Sequence, residues 1–196
     1  MVINTFFDAT DIVPGQGEII RLWRDSWQSR GWEPRILNPR TFAYDPRRKI
    51  FLERAKRDAT SQKSYYRLTR WLALAAAGGG WMCEYDVINF DLRTPMVSVS
   101  SKSFSPFNAL AHLDKAAADK VVDAFIGFER PIHDDTLLFA IALIYSDVWP
   151  DIHANYGDGR AWEIAKTVHF GSTEIEKVHG ACLEKHRVVD ACGRSV

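Results

Sequence analysis

The chain has 196 residues, 46% of them hydrophobic and 12% aromatic, which is enough apolar material for one sizeable core and too little length for two comfortable domains. Lysine plus arginine equals aspartate plus glutamate at 25 each, so no net charge recruits the chain to nucleic acid or an anionic membrane. The three cysteines, Cys83, Cys182 and Cys192, are widely spaced and lack a CxxC or metal-ligand rhythm, which fits a reduced, cytoplasmic setting.

The N-terminus opens on a β-rich run, Val2 to Phe7, not on the basic-then-apolar pattern of a signal peptide. Pro14, Gly15 and Gly17 punctuate a loop, and a helix follows in which Ile19, Ile20, Trp23 and Trp27 recur at helical spacing, with Gly31 as its stop. Trp23, Trp27 and Trp32 are read as buried aromatics, the alternative being partial exposure at a membrane surface. Arg35 to Asn38 makes a second strand. Strand, helix, strand is the opening of an α/β fold with a mixed, mainly parallel sheet flanked by helices.

Asp45-Pro46 has the form of a helix start, with Ile50, Phe51 and Ala55 lining the buried side. The basic residues Arg47, Arg48, Lys49, Arg54, Lys56 and Arg57 read as a solvated face or, in the alternative, as a phosphate or acceptor contact. From Ser61 a long helix passes through Tyr65, Leu68, Leu72 and Ala75 and ends in Gly78-Gly79-Gly80. Trp81 to Ile88 then reads as one strand. Further on, Met96 to Ser100 reads as a strand, Asn108 to Phe128 as mostly helix, Asp134-Asp135 as the acidic start of another apolar helix, and Thr167 to Gly171 as a last strand before a charged tail from Glu174. The longest apolar stretch, Leu137 to Tyr145, is far short of the ~20 residues of a membrane-spanning helix. The expectation is a soluble chain.

Residues i and i+2 of a strand share a face, so Glu84 and Asp86 are expected to present two carboxylates together just after a glycine turn. Paired acids suit a hard divalent ion such as Mg²⁺ or Mn²⁺, which takes one or two carboxylates plus phosphate oxygens. Spacing alone equally allows a solvent-facing acidic pair at a strand end. Asp8-Ala9-Thr10 follows the first strand, where α/β folds collect their ligands. No GxSxG, P-loop, paired CxxC or dinucleotide fingerprint is present.

The run from Arg70 to Val87, RWLALAAAGGGWMCEYDV, is similar to the helix, double glycine, aromatic and DxD strand of the GT-A glycosyltransferases, in the sugar-transferase group related to the yeast initiation α-1,6-mannosyltransferase and to capsular polysaccharide transferases. The resemblance implies a single Rossmann-type domain over 1–196, with a nucleotide-sugar part to about residue 92 and an acceptor part beyond it. It places Arg67 or Arg70 at the helix arginine that meets the donor, Gly79 and Gly80 at the turn, Glu84 at the acid that contacts the sugar nucleotide, and Asp86 at the metal acid. Glu84 shares the metal in this reading, and Asp8, Ala9 and Thr10 hold the nucleotide base. Two departures stand out: glutamate replaces the usual first aspartate, and the third glycine shifts the spacing by one, so that Arg67 and Arg70 both remain candidates.

By the same resemblance, Asp134-Asp135 lines the acceptor side and orients or deprotonates an acceptor hydroxyl, with helix capping as the alternative. His169 completes the metal shell, with packing at a strand end as the alternative. The implied activity is transfer of a hexose from a nucleoside diphosphate sugar to a hydroxyl acceptor with Mn²⁺ or Mg²⁺, retaining because the family retains. A non-catalytic nucleotide-sugar-binding relative is one rival. A metal-dependent phosphate-ester hydrolase, using the same acids with an activated water, is another.

Overall fold

The computed structural model describes residues 1–9, 15–93, 102–104, 110–133, 153–155 and 167–169, with 102–104, 153–155 and 168–169 described by their backbone alone. The expected strand at 96–100, the helix opening at Asp134-Asp135, the apolar stretch from Leu137, the tail from Glu174, Cys182 and Cys192 lie outside the described residues.

Strand β1 (Val2–Phe6) leads to helix α1 (Gln16–Gln28) and back to strand β2 (Glu33–Leu37), which pairs with β1 in parallel. Ile19, Ile20, Trp23 and Trp27 form the buried stripe of α1, as their spacing predicts, and Trp32 is buried beyond it. A buried tryptophan removes on the order of 200 Å² from water, about 5 kcal/mol at ~25 cal/mol per Å² before ordering costs.

Helix α2 (Arg48–Asp58) follows, and Asp45 accepts hydrogen bonds from the Arg47 backbone N–H (2.8 Å) and from its guanidinium. Its buried stripe is Phe51, Arg54, Ala55 and Asp58. Ile50, expected inside, is 54% exposed. The stripe follows the i, i+3, i+4, i+7 rule from Phe51, which turns the preceding position away from the core.

Two of the basic residues on α2 and its entry are therefore ties, not solvated charges. Arg47 pairs with Asp119 (2.9 Å) and Asp123 (3.3 Å) on helix α4 (Lys115–Gly127). Arg54 donates from Nε to Asp58 (3.2 Å) and from its Nη atoms to the carbonyls of Ile126 (3.1 Å) and Arg130 (2.7 Å). Asp58 also accepts from Arg57 Nε (2.8 Å) and the Ile132 N–H (3.2 Å), and its carbonyl meets His133 Nδ1 at 2.7 Å. Burial works to raise the pKa of Asp58, but these bonds and the charges of Arg54 and Arg57 outweigh it and hold the carboxyl below its ordinary value.

Helix α3 (Gln62–Ala76) starts at a capping box made by Ser61 and Ser64. Gly78, Gly79 and Gly80 all carry positive φ and turn the chain into strand β3 (Gly80–Cys83), which pairs in parallel with β1. The expected single strand from Trp81 to Ile88 is broken in two: β3 ends at Cys83, and β4 (Val87–Asn89) belongs to a second sheet. The expected helix from Asn108 is also corrected, because Leu110–Leu113 is strand β6 and Asp114 caps α4 by accepting the Ala117 N–H. Strand β5 (Lys102–Phe104) pairs antiparallel with β6.

The first sheet has five strands in the order β2-β1-β3-β6-β5, with β6 alone running against the others. The second has the order β4-β8-β7, with β7 (His153–Asn155) parallel to β8 (Thr167–His169) and β8 antiparallel to β4. Alternation along β1 and β3 separates two cores. Ile3, Trp81 and Cys83 pack with the α1 residues, while Phe6 and Met82 pack with residues of α2, α3 and α4. The architecture is α/β with a mixed sheet covered by helices on both faces. The chain leaves β1 for β2 across one face and returns to β3, on the other side of β1, across the opposite face. The carboxyl ends of β1 and β3 therefore stand at the switch point of the sheet, the position where open α/β sheets bind ligands. Among the described residues, no helix is long and apolar enough to cross a membrane.

Asp58→Asn should cost about 3 kcal/mol of unfolding free energy at neutral pH, because it breaks a buried pair. Asp58 has a depressed folded pKa, so its contribution is present above the unfolded value of ~3.9 and is lost as pH falls through the folded pKa. Urea unfolding at pH 7 and at pH 2.5 checks both points: the gap between wild type and variant is expected to close at the lower pH.

Candidate functional site

The carboxyl end of β3 delivers Glu84, Tyr85 and Asp86 into a turn closed by the Val87 N–H to the Glu84 carbonyl at 3.1 Å. The two acids thus flank a turn, instead of alternating along a continuous strand. Asp86 is 4% exposed, and the Glu84 side chain is 13% exposed.

Helix α1 and the tryptophan beyond it hold this turn on both sides. Trp23 Nε1 donates to Cys83 Sγ (3.1 Å) just before it, and Trp27 Nε1 donates to the Val87 carbonyl (3.0 Å) just after it. Further along, Ser26 Oγ accepts the Asn89 N–H (3.2 Å) and Trp32 Nε1 donates to the Leu92 carbonyl (2.6 Å). From the first turn of α1, Gln16 Nε2 donates to the Tyr85 hydroxyl at 2.8 Å. The Phe7 ring meets Tyr85 edge-on at 6.0 Å between centroids, which joins the carboxyl end of β1 to the acidic turn. Trp32 stacks edge-on between Trp27 (5.2 Å) and Trp81 (5.6 Å). Burial raises the Tyr85 pKa and pushes the Cys83 thiol far above its usual range, so both are neutral at physiological pH.

On the other face, α3 supplies two arginines to one carboxylate. Arg70 Nη1 lies 3.1 Å and Arg67 Nε 3.4 Å from the same Glu84 oxygen, Oε1. The Arg70 side chain is buried, with its guanidinium 4.6 Å over the Trp71 ring, whereas Arg67 is 39% exposed. Both candidates for the helix arginine therefore reach the site. Asp8 and Ala9 lie at the carboxyl end of β1, Asp8 half-buried and Ala9 exposed. The Asp8 charge reaches Tyr65 on α3, whose pKa is raised first by burial and then by that charge.

The remaining candidates fall elsewhere. Gly79 and Gly80 stand at the opposite end of β3 from Glu84, and a Cβ at Gly79 would lie within 2.7 Å of backbone atoms of Leu113, Asp114 and Lys115. Their conformation and this close packing account for glycine there without a ligand. His169 is paired by backbone register with Val87, next to Asp86, while its side chain lies outside the described residues. Thr10, Asp134 and Asp135 also lie outside them. Among the described residues, no group of three or more His, Cys, Asp or Glu side chains is placed to hold a metal ion. Glu84 and Asp86 are the carboxylates that the turn itself provides.

Sequence reasoning missed Gln16, Phe7 and Tyr85, and it read the tryptophans as core without their bonds. The helical spacing of Trp23 and Trp27 is visible, but their acceptors lie 60 residues away, and no local pattern encodes that pairing. No protein-family model matches the chain, and no curated protein matches it.

Gly78→Ala and Gly79→Ala separate backbone strain from steric demand. Among the described residues nothing lies within 4 Å of a Cβ at Gly78, so its positive φ is what resists alanine there, at about 1–2 kcal/mol. Gly79→Ala adds the collision with β6 and α4 and is expected to cost at least about twice as much, read as a larger fall in melting temperature.

Proposed function

We propose that the protein is a metal-dependent glycosyltransferase of the GT-A kind, moving a hexose from a nucleoside diphosphate sugar to a hydroxyl acceptor. The observation that carries this reading is convergence. Two carboxylates, two arginines and the end of β1 come together at the carboxyl ends of the parallel strands β1 and β3, where the sheet changes direction of winding. The similarity of residues 70–87 to the GT-A helix, glycine turn and DxD strand gives that place its chemistry.

A hard divalent ion fits the donor set in kind. Asp86 offers a carboxylate oxygen in a largely buried turn, and an ion with few protein ligands takes the rest from phosphate and water. Asp86, with Glu84 beside it and His169 next to it by register, would hold Mn²⁺ or Mg²⁺. When bound, the ion offsets charge on the departing diphosphate. Arg67 and Arg70 hold Glu84, and in this reading the same two guanidinium groups meet the anionic donor. Asp8 and Ala9, at the carboxyl end of β1, are assigned to the base, together with Thr10 from the sequence alone. Asp134 and Asp135 are assigned to the acceptor hydroxyl from the sequence alone.

The two ion pairs on Glu84 also favour a rival, a nucleotide-sugar-binding protein without turnover. In it the arginines consume the first acid and leave binding as the only activity. Calorimetric titration of donor with and without Mn²⁺ tests the site. Asp86→Ala should weaken Mn²⁺-dependent donor binding at least a hundredfold while the melting temperature of the unliganded protein moves by only a few degrees. His169→Ala should weaken Mn²⁺ about tenfold, and unchanged affinity returns it to strand packing. Alanine at Asp134 or Asp135 should lower turnover more than donor affinity. Donor binding that survives Asp86→Ala contradicts the metal assignment, and tight binding without turnover selects the rival.

A further inference from the structure

The acidic turn is anchored through its middle residue, and that anchor is separable from the core. Tyr85 lies between Glu84 and Asp86; its ring rests against Phe7 and its hydroxyl receives the Gln16 Nε2 donor at 2.8 Å. Gln16 is the first residue of α1, is 8% exposed, and follows Gly15, whose left-handed backbone supplies no side-chain cap. Its amide is therefore directed inward to the turn, not spent on the helix end. Arg70 and Arg67 hold Glu84 from the opposite face, and on the α1 face the anchors Trp23 to Cys83 and Trp27 to Val87 are fully buried core tryptophans. The tryptophans fix where the strands run, but they grip the chain outside the three-residue turn. Within the turn, the Tyr85 side chain ties the chain to α1 through Gln16, and the turn's own bond joins Val87 to Glu84.

We propose that Gln16 and Tyr85 are positioning residues: their hydrogen bond sets the orientation of the turn and hence the stance of Asp86 toward a divalent ion and its diphosphate. This rests on the metal reading of Asp86 given above. In the sequence Tyr85 stands between the two acids and Gln16 between the glycines Gly15 and Gly17, so neither is assigned a role by motif.

The test is a titration of Mn²⁺, followed by the resonance signal of the free ion, against wild type, Tyr85→Phe, Gln16→Leu and the double variant, with and without a nucleoside diphosphate. Tyr85→Phe keeps the ring contact with Phe7 and removes only the hydroxyl. Each single variant is expected to raise the Mn²⁺ Kd about fivefold, the worth of one neutral hydrogen bond. The double variant should be no weaker than the worse single one, because both remove the same interaction. Melting temperatures should stay within a few degrees of wild type. Unchanged Kd in both single variants, or losses that multiply in the double variant, overturn the proposal while the metal site stands. Wild type that binds no Mn²⁺, or Asp86→Ala that binds as wild type does, overturns the metal reading and this inference together.

Discussion

The described structure depends on one set of long-range hydrogen bonds, those from the α1 side of the sheet to the chain between Cys83 and Leu92. Buried indole N–H groups need acceptors, and those of Trp23, Trp27 and Trp32 find them on the segment that carries the acidic turn. The same tryptophans fill the core under β1 and β3. Hydrophobic burial and hydrogen-bond satisfaction thus specify the same geometry. The helix cannot dock without placing Glu84 to Asp86 at the carboxyl edge of the sheet, and the turn cannot shift without stranding a buried donor.

The opposite core does comparable work with charges. Arg54 and Asp58 would be costly in an apolar layer if either stood alone, yet together they satisfy carbonyls and an N–H of the segment from Ile126 to Ile132. Arg47 fastens the start of α2 to α4. At the acidic turn the arrangement differs, since Arg67 and Arg70 both meet a single Glu84 oxygen.

Much of this was legible in the sequence. The helical stripe of Ile19, Ile20, Trp23 and Trp27, the glycine stop before β3 and the first strand pair follow from local periodicity and punctuation, which the final fold obeys. Errors arose where tertiary partners decided. Trp81 to Ile88 is β-rich throughout, and the break at Glu84 comes from β4 pairing with β8 in another sheet. Leu110 to Leu113 reads as well as helix as strand, and pairing with β3 settles it. Arg54 looked like a surface charge because its partners lie partly in a segment some 70 residues on. For the site, residue types at 84 and 86 were readable, while the arginines' shared target and the roles of Gln16 and Tyr85 were not, being set by contacts across the fold.

The most direct test of the account is a thermal-shift panel of UDP, GDP, CMP and their sugars, each with Mn²⁺, Mg²⁺ or EDTA, since a ligand bound only by the folded state raises its apparent stability. The account predicts a shift of several degrees with one nucleotide diphosphate or its sugar, present with Mn²⁺ and lost with EDTA. No shift with any nucleotide, or one that EDTA leaves intact, would contradict a metal-bridged diphosphate site at the Glu84–Asp86 turn.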